Sequence, residues 1–433
     1  MIDNIINFFK KIFGKKTTLT TEKEIKDSKK YIEEYSQTIE FNPTAIISSN
    51  LTKLTLYGCI INIEPVGKRA EFLGNCLIDL LKKNAKILST VLGTGGIVSV
   101  PVVIGNTIEY DLIHQDRLTI YKKQGDKIVS ASIIADKIKV NNTNYNRVID
   151  YNIVNNVLTI RYKTVDDKGE MAIVDGWGME DITIGNVDRV PIAYFKCPTD
   201  NRDIKNIMGV PITFGGDDII RQIKQNIKDV QKEYADKKTR IIASEHVQEI
   251  GIDGKVKITD DVINVLYGTD DVVLKSISEE IRNTAYEERQ EFLFRLLEKH
   301  IDVSSGILSK NEFIQATATE IRRANTSTMA VISNIRTSFI AFVTDYIYAC
   351  DVLAERFKLT PNGEYKILAE FKDPFEDTEK SYAMIKDMHS LGLVTDVEIR
   401  QFAKPDETIE QSQKIIEEIK QTAPSLSNLF NGE

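Results

Sequence analysis

Residues that bring chemistry or cross-links to a protein are scarce in this chain. Only four cysteines occur, Cys59, Cys76, Cys197 and Cys350. None forms a CxxC pair and no histidine cluster accompanies them, which excludes a disulfide framework and the common zinc spacings. They read as buried thiols of a reducing compartment. The four histidines, His114, His246, His300 and His389, include no HExxH pair. There is no GxSxG elbow and no cysteine in a nucleophile context. Gly93-Thr94-Gly95-Gly96 lacks the GxGxxG spacing, and no Lys-Ser/Thr pair follows it. It reads as a turn between a helix and a strand.

An excess of positive charge is missing too. Lys and Arg number 56 against 64 Asp and Glu, a net charge of -8. Proteins that grip nucleic acid through its phosphates are usually basic, so tight binding is disfavoured while loose passage is not. Tyr145, Tyr151 and Tyr162 stand in one region but without a regular basic groove for base stacking. The acid pairs Asp166-Asp167, Asp217-Asp218, Asp260-Asp261 and Asp270-Asp271 sit beside turns or helix starts, and their spacing selects no two-metal site. No apolar run approaches the length of a membrane span; Phe339–Val343 is soon broken by Asp345. In Met1–Lys16 the apolar residues precede the lysines, the reverse of a signal peptide, so the segment reads as a terminal amphipathic helix.

What is present is a long chain of ordinary globular composition, 42% hydrophobic and 28% charged, enough for two or more domains. From Pro43 to Leu92 the apolar spacing is mostly helical, with Phe72, Leu73, Cys76, Leu77, Leu80 and Leu81 recurring at three and four. Leu51–Glu64 fits helix or strand. From Ile97 the texture becomes short, β-branched and alternating, as in Thr107–Ile113, Ile128–Ile134 and Val157–Tyr162. Gly105-Asn106, Gln124-Gly125-Asp126 and Asp166–Gly169 supply turns, and the antiparallel region ends near Val190-Pro191.

A sharp helix then starts at Asp217-Asp218 and carries Ile219, Ile220, Ile223, Ile227, Val230 and Tyr234 on one stripe to Lys238. Four short β candidates follow, Arg240–Ala243, Lys255–Ile258, Val262–Val265 and Val272–Leu274, and then a second helix over about Glu279–His300. A small β module is thus inserted between two rods. Ser304–Gln315 is a polar loop, and Thr317-Ala318-Thr319-Glu320 has the form of a capping box. With no Gly or Pro before Phe357, one helix is expected from Thr317 onward, polar in its first half and buried in its second. Three short helical patterns close the chain, Asp377–Leu391, Thr395–Phe402 and Thr408–Lys420. The fold class is α+β.

In order and spacing these segments resemble the portal proteins of tailed bacteriophages, as found in siphophages and myophages of Gram-positive hosts. The likeness rests on the amphipathic Met1–Lys16, on Arg189–Phe195 followed by Gly209 and the Asp217–Lys238 helix, and on the β insertion. It rests further on Thr317–Ile321, similar to a TATE-type motif opening a long helix, and on His389–Thr395 with the helical tail Gln401–Lys420. It covers about residues 1–420, and no single motif is specific.

The resemblance implies an N-terminal arm (1–30), an α/β wing (31–213), a two-helix stem (214–238 and 276–302) and a small β-rich clip (239–275). It further implies a tunnel loop with a long wing helix (303–373) and a helical crown (374–433). The tunnel loop would comprise Ser309, Lys310, Asn311, Glu312, Phe313, Ile314, Gln315 and Ala316, shorter than is usual in the family, with Thr317 and Glu320 as the helix cap. Such proteins form rings, typically dodecamers, at one capsid vertex. They are assembled in the host cytoplasm, pass double-stranded DNA non-specifically, and meet the large terminase subunit, a head–tail connector, and the major capsid and scaffolding proteins. They are not enzymes, hold no cofactor or metal, and need no membrane. A DNA-processing enzyme such as a metal-dependent nuclease, or another structural protein of a virion or tail, is the alternative reading.

Overall fold

The computed structural model describes residues 29–30, 41–140, 143–166, 169–174, 180–202, 207–236, 240–244, 262–266, 274–277, 282–310, 325–375, 378–404 and 407–422. The chain divides into two compact units, Met1–Ile314 with Thr326–Lys372, and Gln315–Asn325 with Asp373–Glu433. Both helices and sheets contribute, so the class is mixed α and β.

In the first unit, α1 (Pro43–Thr55) begins with Asn42, whose side chain accepts from the Ala45 N–H, and with proline at its first position. The ambiguous stretch after it resolves into two elements, since the helix stops at Thr55 and β1 (Ile60–Glu64) is a strand. Next come α2 (Lys68–Leu81) and α3 (Asn84–Thr94). The glycine-rich segment ends α3: Gly95 takes a left-handed φ of 96°, and a Cβ there would come within 2.5 Å of the Gly209 carbonyl oxygen.

Strand β2 (Gly96–Ile104) is the middle of a three-stranded sheet, between β3 (Thr107–His114) and β9 (Ala193–Lys196). Its apolar run Ile97, Val98 and Val100 is buried, as a central strand requires. Pro101 lies past Ser99, where the β9 ladder ends and a missing N–H costs less. An antiparallel meander carries β4 (Leu118–Gln124), β5 (Lys127–Val140), β6 (Thr143–Val154), β7 (Val157–Asp166) and β8 (Ile182–Gly185). The β region therefore runs on to Lys196, beyond the expected end near Val190-Pro191.

The core of this unit is closed by one helix. Its ring cluster packs Phe195 of β9 against Phe342 at 5.2 Å and Phe339 at 5.7 Å between centroids. Both phenylalanines belong to the long helix Thr326–Arg356, whose Ile332, Ile335, Phe339, Phe342, Val343, Tyr346, Ile347 and Cys350 recur at three and four and are buried. Of the expected polar first half, residues 317–324 lie outside the described residues; in the remainder Thr326, Ala330, Ser333 and Asn334 are exposed while Thr328, Ile332 and Ile335 are fully buried, so one face is wet and the other faces the core. This helix is also long and apolar enough to cross a membrane, contrary to the sequence reading. Its apolar face is instead spent on the protein core.

In the second unit, α7 (Thr378–Ser390), α8 (Asp396–Ala403) and α9 (Ile409–Thr422) follow one another closely. Gly392, at φ 72°, ends α7 in a Schellman arrangement: Leu393 N–H donates to Met388 O and Gly392 N–H to His389 O, each at 2.9 Å. Thr395 and Glu398 form a full capping box at the start of α8. Arg400 makes two hydrogen bonds to Glu407, at 2.7 and 2.8 Å.

Candidate functional site: a helical hairpin and the loop that follows it

The insertion expected from the sequence is built from α4 (Asp217–Asp236), β10 (Arg240–Ser244), β11 (Val262–Leu266), β12 (Leu274–Ile277) and α5 (Asn283–His300). At 1.5 Å per residue the two helices are rods of about 30 and 27 Å. They run antiparallel. His300, at the end of α5, shares a 2.9 Å hydrogen bond with Phe214 O just before α4. At the other end, Glu233 accepts from the Arg282 backbone N–H at 2.9 Å and from its guanidinium at 3.0 Å. Midway, the buried Asn226 amide donates to Tyr286 O and Gln290 Oε1. Arg282 holds the Glu233 carboxyl down at about 2.

The three strands form one sheet of order β11-β10-β12, with β10 parallel to β11 and antiparallel to β12. Arg240–Ser244, Val262–Leu266 and Leu274–Ile277 lie on or beside three of the four expected strands, while Lys255–Ile258 falls outside the described residues. The helices meet the main core through Ile223, Leu293, Leu297 and Ile301, all near one end of the hairpin. Tyr234, Phe292 and Leu296 are exposed, by 53%, 63% and 38%.

After α5 the chain turns at Asp302, φ 58°, and runs through Val303–Lys310 toward α6 (Thr326–Arg356). Of the expected tunnel-loop residues, Ser309 and Lys310 are described. Asn311, Glu312, Phe313, Ile314, Gln315 and Ala316, and the cap residues Thr317 and Glu320, lie outside the described residues. Ser309 is 8% exposed and turned inward, its hydroxyl donating to Glu298 Oε2 at 2.6 Å. Lys310 is exposed, and its backbone N–H donates to Glu291 Oε1 at 2.9 Å. So of these two residues only Lys310 offers its side chain to a ligand.

Sequence reasoning missed the residue that organises this loop, Glu298. It is 1% exposed, and its Oε1 accepts from the N–H groups of Gly306 (3.2 Å), Leu308 (2.6 Å) and Ser309 (2.9 Å). A faint signal existed, because Glu298 follows the apolar pair Leu293 and Leu297 on the same helix. Elsewhere a shallow pocket of about 370 Å³ is lined by Lys196, Cys197, Pro198, Thr199, Asp200, Asn201 and Ser338. Burial pushes the Cys197 thiol upward, which leaves it a poor nucleophile. Among the described residues no group of three or more His, Cys, Asp or Glu side chains is placed to hold a metal.

No family model matches the chain, and no curated protein does. Among solved structures the chain is similar to two described as the neck of an empty GTA particle computed with C6 symmetry and the neck of a native GTA particle computed with C12 symmetry. Both matches have a TM-score of 0.46 at 10% identity. The first covers 86% of this chain and 92% of its counterpart, the second 92% and 98%.

Proposed function

We propose that this chain is a portal protein of a tailed phage. It would form a closed ring at one capsid vertex, carry double-stranded DNA through its centre, and dock the packaging terminase and later a head–tail connector. Its place would be the virion, after assembly in the host cytoplasm with capsid and scaffolding proteins, and it would act without catalysis, cofactor or membrane.

The observation that carries this reading is the hairpin itself. Two antiparallel rods bear a small sheet between them, are tied to the core near one end, and are followed at once by a loop and a long core helix. That is the order of stem, clip, tunnel loop and wing helix that the portal resemblance implies. Three further features support it. The hairpin exposes Tyr234, Phe292 and Leu296, which neighbouring copies of the chain would cover. A rotational ring needs two different surfaces on each subunit, and a hairpin beside a core supplies them. A net charge of -8 repels phosphate and favours a low-friction passage.

Negative-stain electron microscopy of the purified full-length chain tests the reading. The expected result is a ring with a central hole wide enough for a DNA duplex. Monomers under all assembly conditions, together with metal-dependent cleavage of DNA, would replace it with the nuclease alternative.

A further inference from the structure

The segment Val303–Lys310 after α5 is held far more firmly than a polar surface segment needs to be. Glu298 takes four donors: three backbone N–H groups on Oε1 and the Ser309 hydroxyl on Oε2. Successive N–H groups turned onto one oxygen form the kind of concavity that binds anions. Here the chain fills it with its own buried carboxylate. Two other elements grip the same segment. Thr328 on α6, fully buried, accepts from the Ser304 N–H at 2.8 Å and donates to Ser304 Oγ at 2.9 Å. Asn50 on α1 donates its amide to Ile307 O at 2.8 Å. One step beyond, Glu291 takes the Lys310 N–H, so α5 holds the chain at residues 306, 308, 309 and 310.

A buried carboxylate is costly unless its acceptor capacity is filled. Spending one on a loop without secondary structure makes sense where the loop's position matters. We propose that Glu298 is a positioning residue for DNA passage: it fixes the root of the loop, Gly306–Ser309, so that Lys310 is presented to the duplex from a rigid mount. This rests on the portal reading, whereas the anchoring does not.

Hydrogen exchange on the full-length chain tests the anchoring directly. In the unaltered protein the amides of Leu308 and Ser309 should be protected like those at the end of α5, although they belong to no helix or strand. Free exchange there would overturn the proposal without any variant. Glu298→Ala should speed exchange at these amides by roughly tenfold to a hundredfold, the worth of hydrogen bonds to a charged group. Glu298→Gln should restore most of the protection. Its amide oxygen can take the three N–H groups while its NH₂ turns to the Ser309 hydroxyl.

The functional arm measures DNA retained by particles assembled with each variant, beside Lys310→Glu. Glu298→Ala and Lys310→Glu should both lower retention severalfold with ring assembly unchanged, and Glu298→Gln should recover it. If Lys310→Glu lowers retention while Glu298→Ala loosens the loop without effect, the positioning role falls and the channel reading stands. If neither variant affects retention, the channel reading falls, and Glu298 is an anchor only.

Discussion

Arg282 and Glu233 close the far end of the α4–α5 hairpin with a fork of three hydrogen bonds, and they make it sensitive to acid. The Glu233 carboxyl is held at about 2 against an ordinary 4.5. A depressed carboxylate contributes stability that is complete above its unfolded value and is lost as pH falls through its folded value. The hairpin end should therefore stay closed at pH 5 and open progressively between about 4.5 and 2. Hydrogen exchange at Arg282–Tyr286 measured across that range checks this, and Glu233→Gln should remove the pH dependence there. Some of these residue-scale facts could be read in advance. Asp217 and Asp218 stand in the first turn of α4, as their place before the apolar stripe suggested. Others could not. Asn155-Asn156, with φ of 51° and 62°, forms the two-residue turn between β6 and β7, and asparagine tolerates that conformation without announcing it as Asn-Gly does. The roles of Glu298 and Asn226 were not legible in the sequence, because their partners come near only when the chain has folded back on itself.

At the scale of elements, periodicity was readable wherever one face is buried. The stripe of α4 and the three closing helices fall within a few residues of their expected limits. Strand limits were least legible where the pattern is not alternation. β2 is a largely apolar run broken by the buried Ser99, and β8 and β9 have only four residues each. In the long helix, Arg336 is not a solvated cation: it bends its guanidinium to Thr55 O at 3.0 Å and Lys372 O at 2.8 Å and lies over the Phe371 ring. There it satisfies the last carbonyls of α1, as cations at helix C-termini do. Phe342 is 1% exposed and stacks on Phe195 and Phe339. Phe342→Ala should cost about 3–5 kcal/mol, read as a fall in denaturant midpoint with an unchanged slope. A cost below about 1 kcal/mol would mean that the aromatic cluster is not central to the core.

For the whole molecule, the hairpin's exposed apolar side chains are where assembly should be most vulnerable. Phe292 and Leu296 stand four apart on α5, so they share one face of that helix. Both are exposed in the single chain, Phe292 more than Leu296, so their main loss on substitution falls on contacts between chains. Covering a phenylalanine of this exposure contributes about 2 kcal/mol at each subunit contact. Its loss would weaken each contact roughly thirtyfold. In a closed ring every subunit carries the same defect, so the losses accumulate around the circle. Phe292→Glu with Leu296→Glu should therefore shift rings to monomers and short arcs in sedimentation and in micrographs. Melting temperature and circular dichroism of the dissociated chain should stay as they were. Removing Thr239–Lys275 should give monomers or irregular aggregates for the same reason, since among the described residues the module offers three strands of five, five and four residues, too little core to stand apart from its neighbours. Intact rings from both variants would move the subunit contacts away from the hairpin and its sheet.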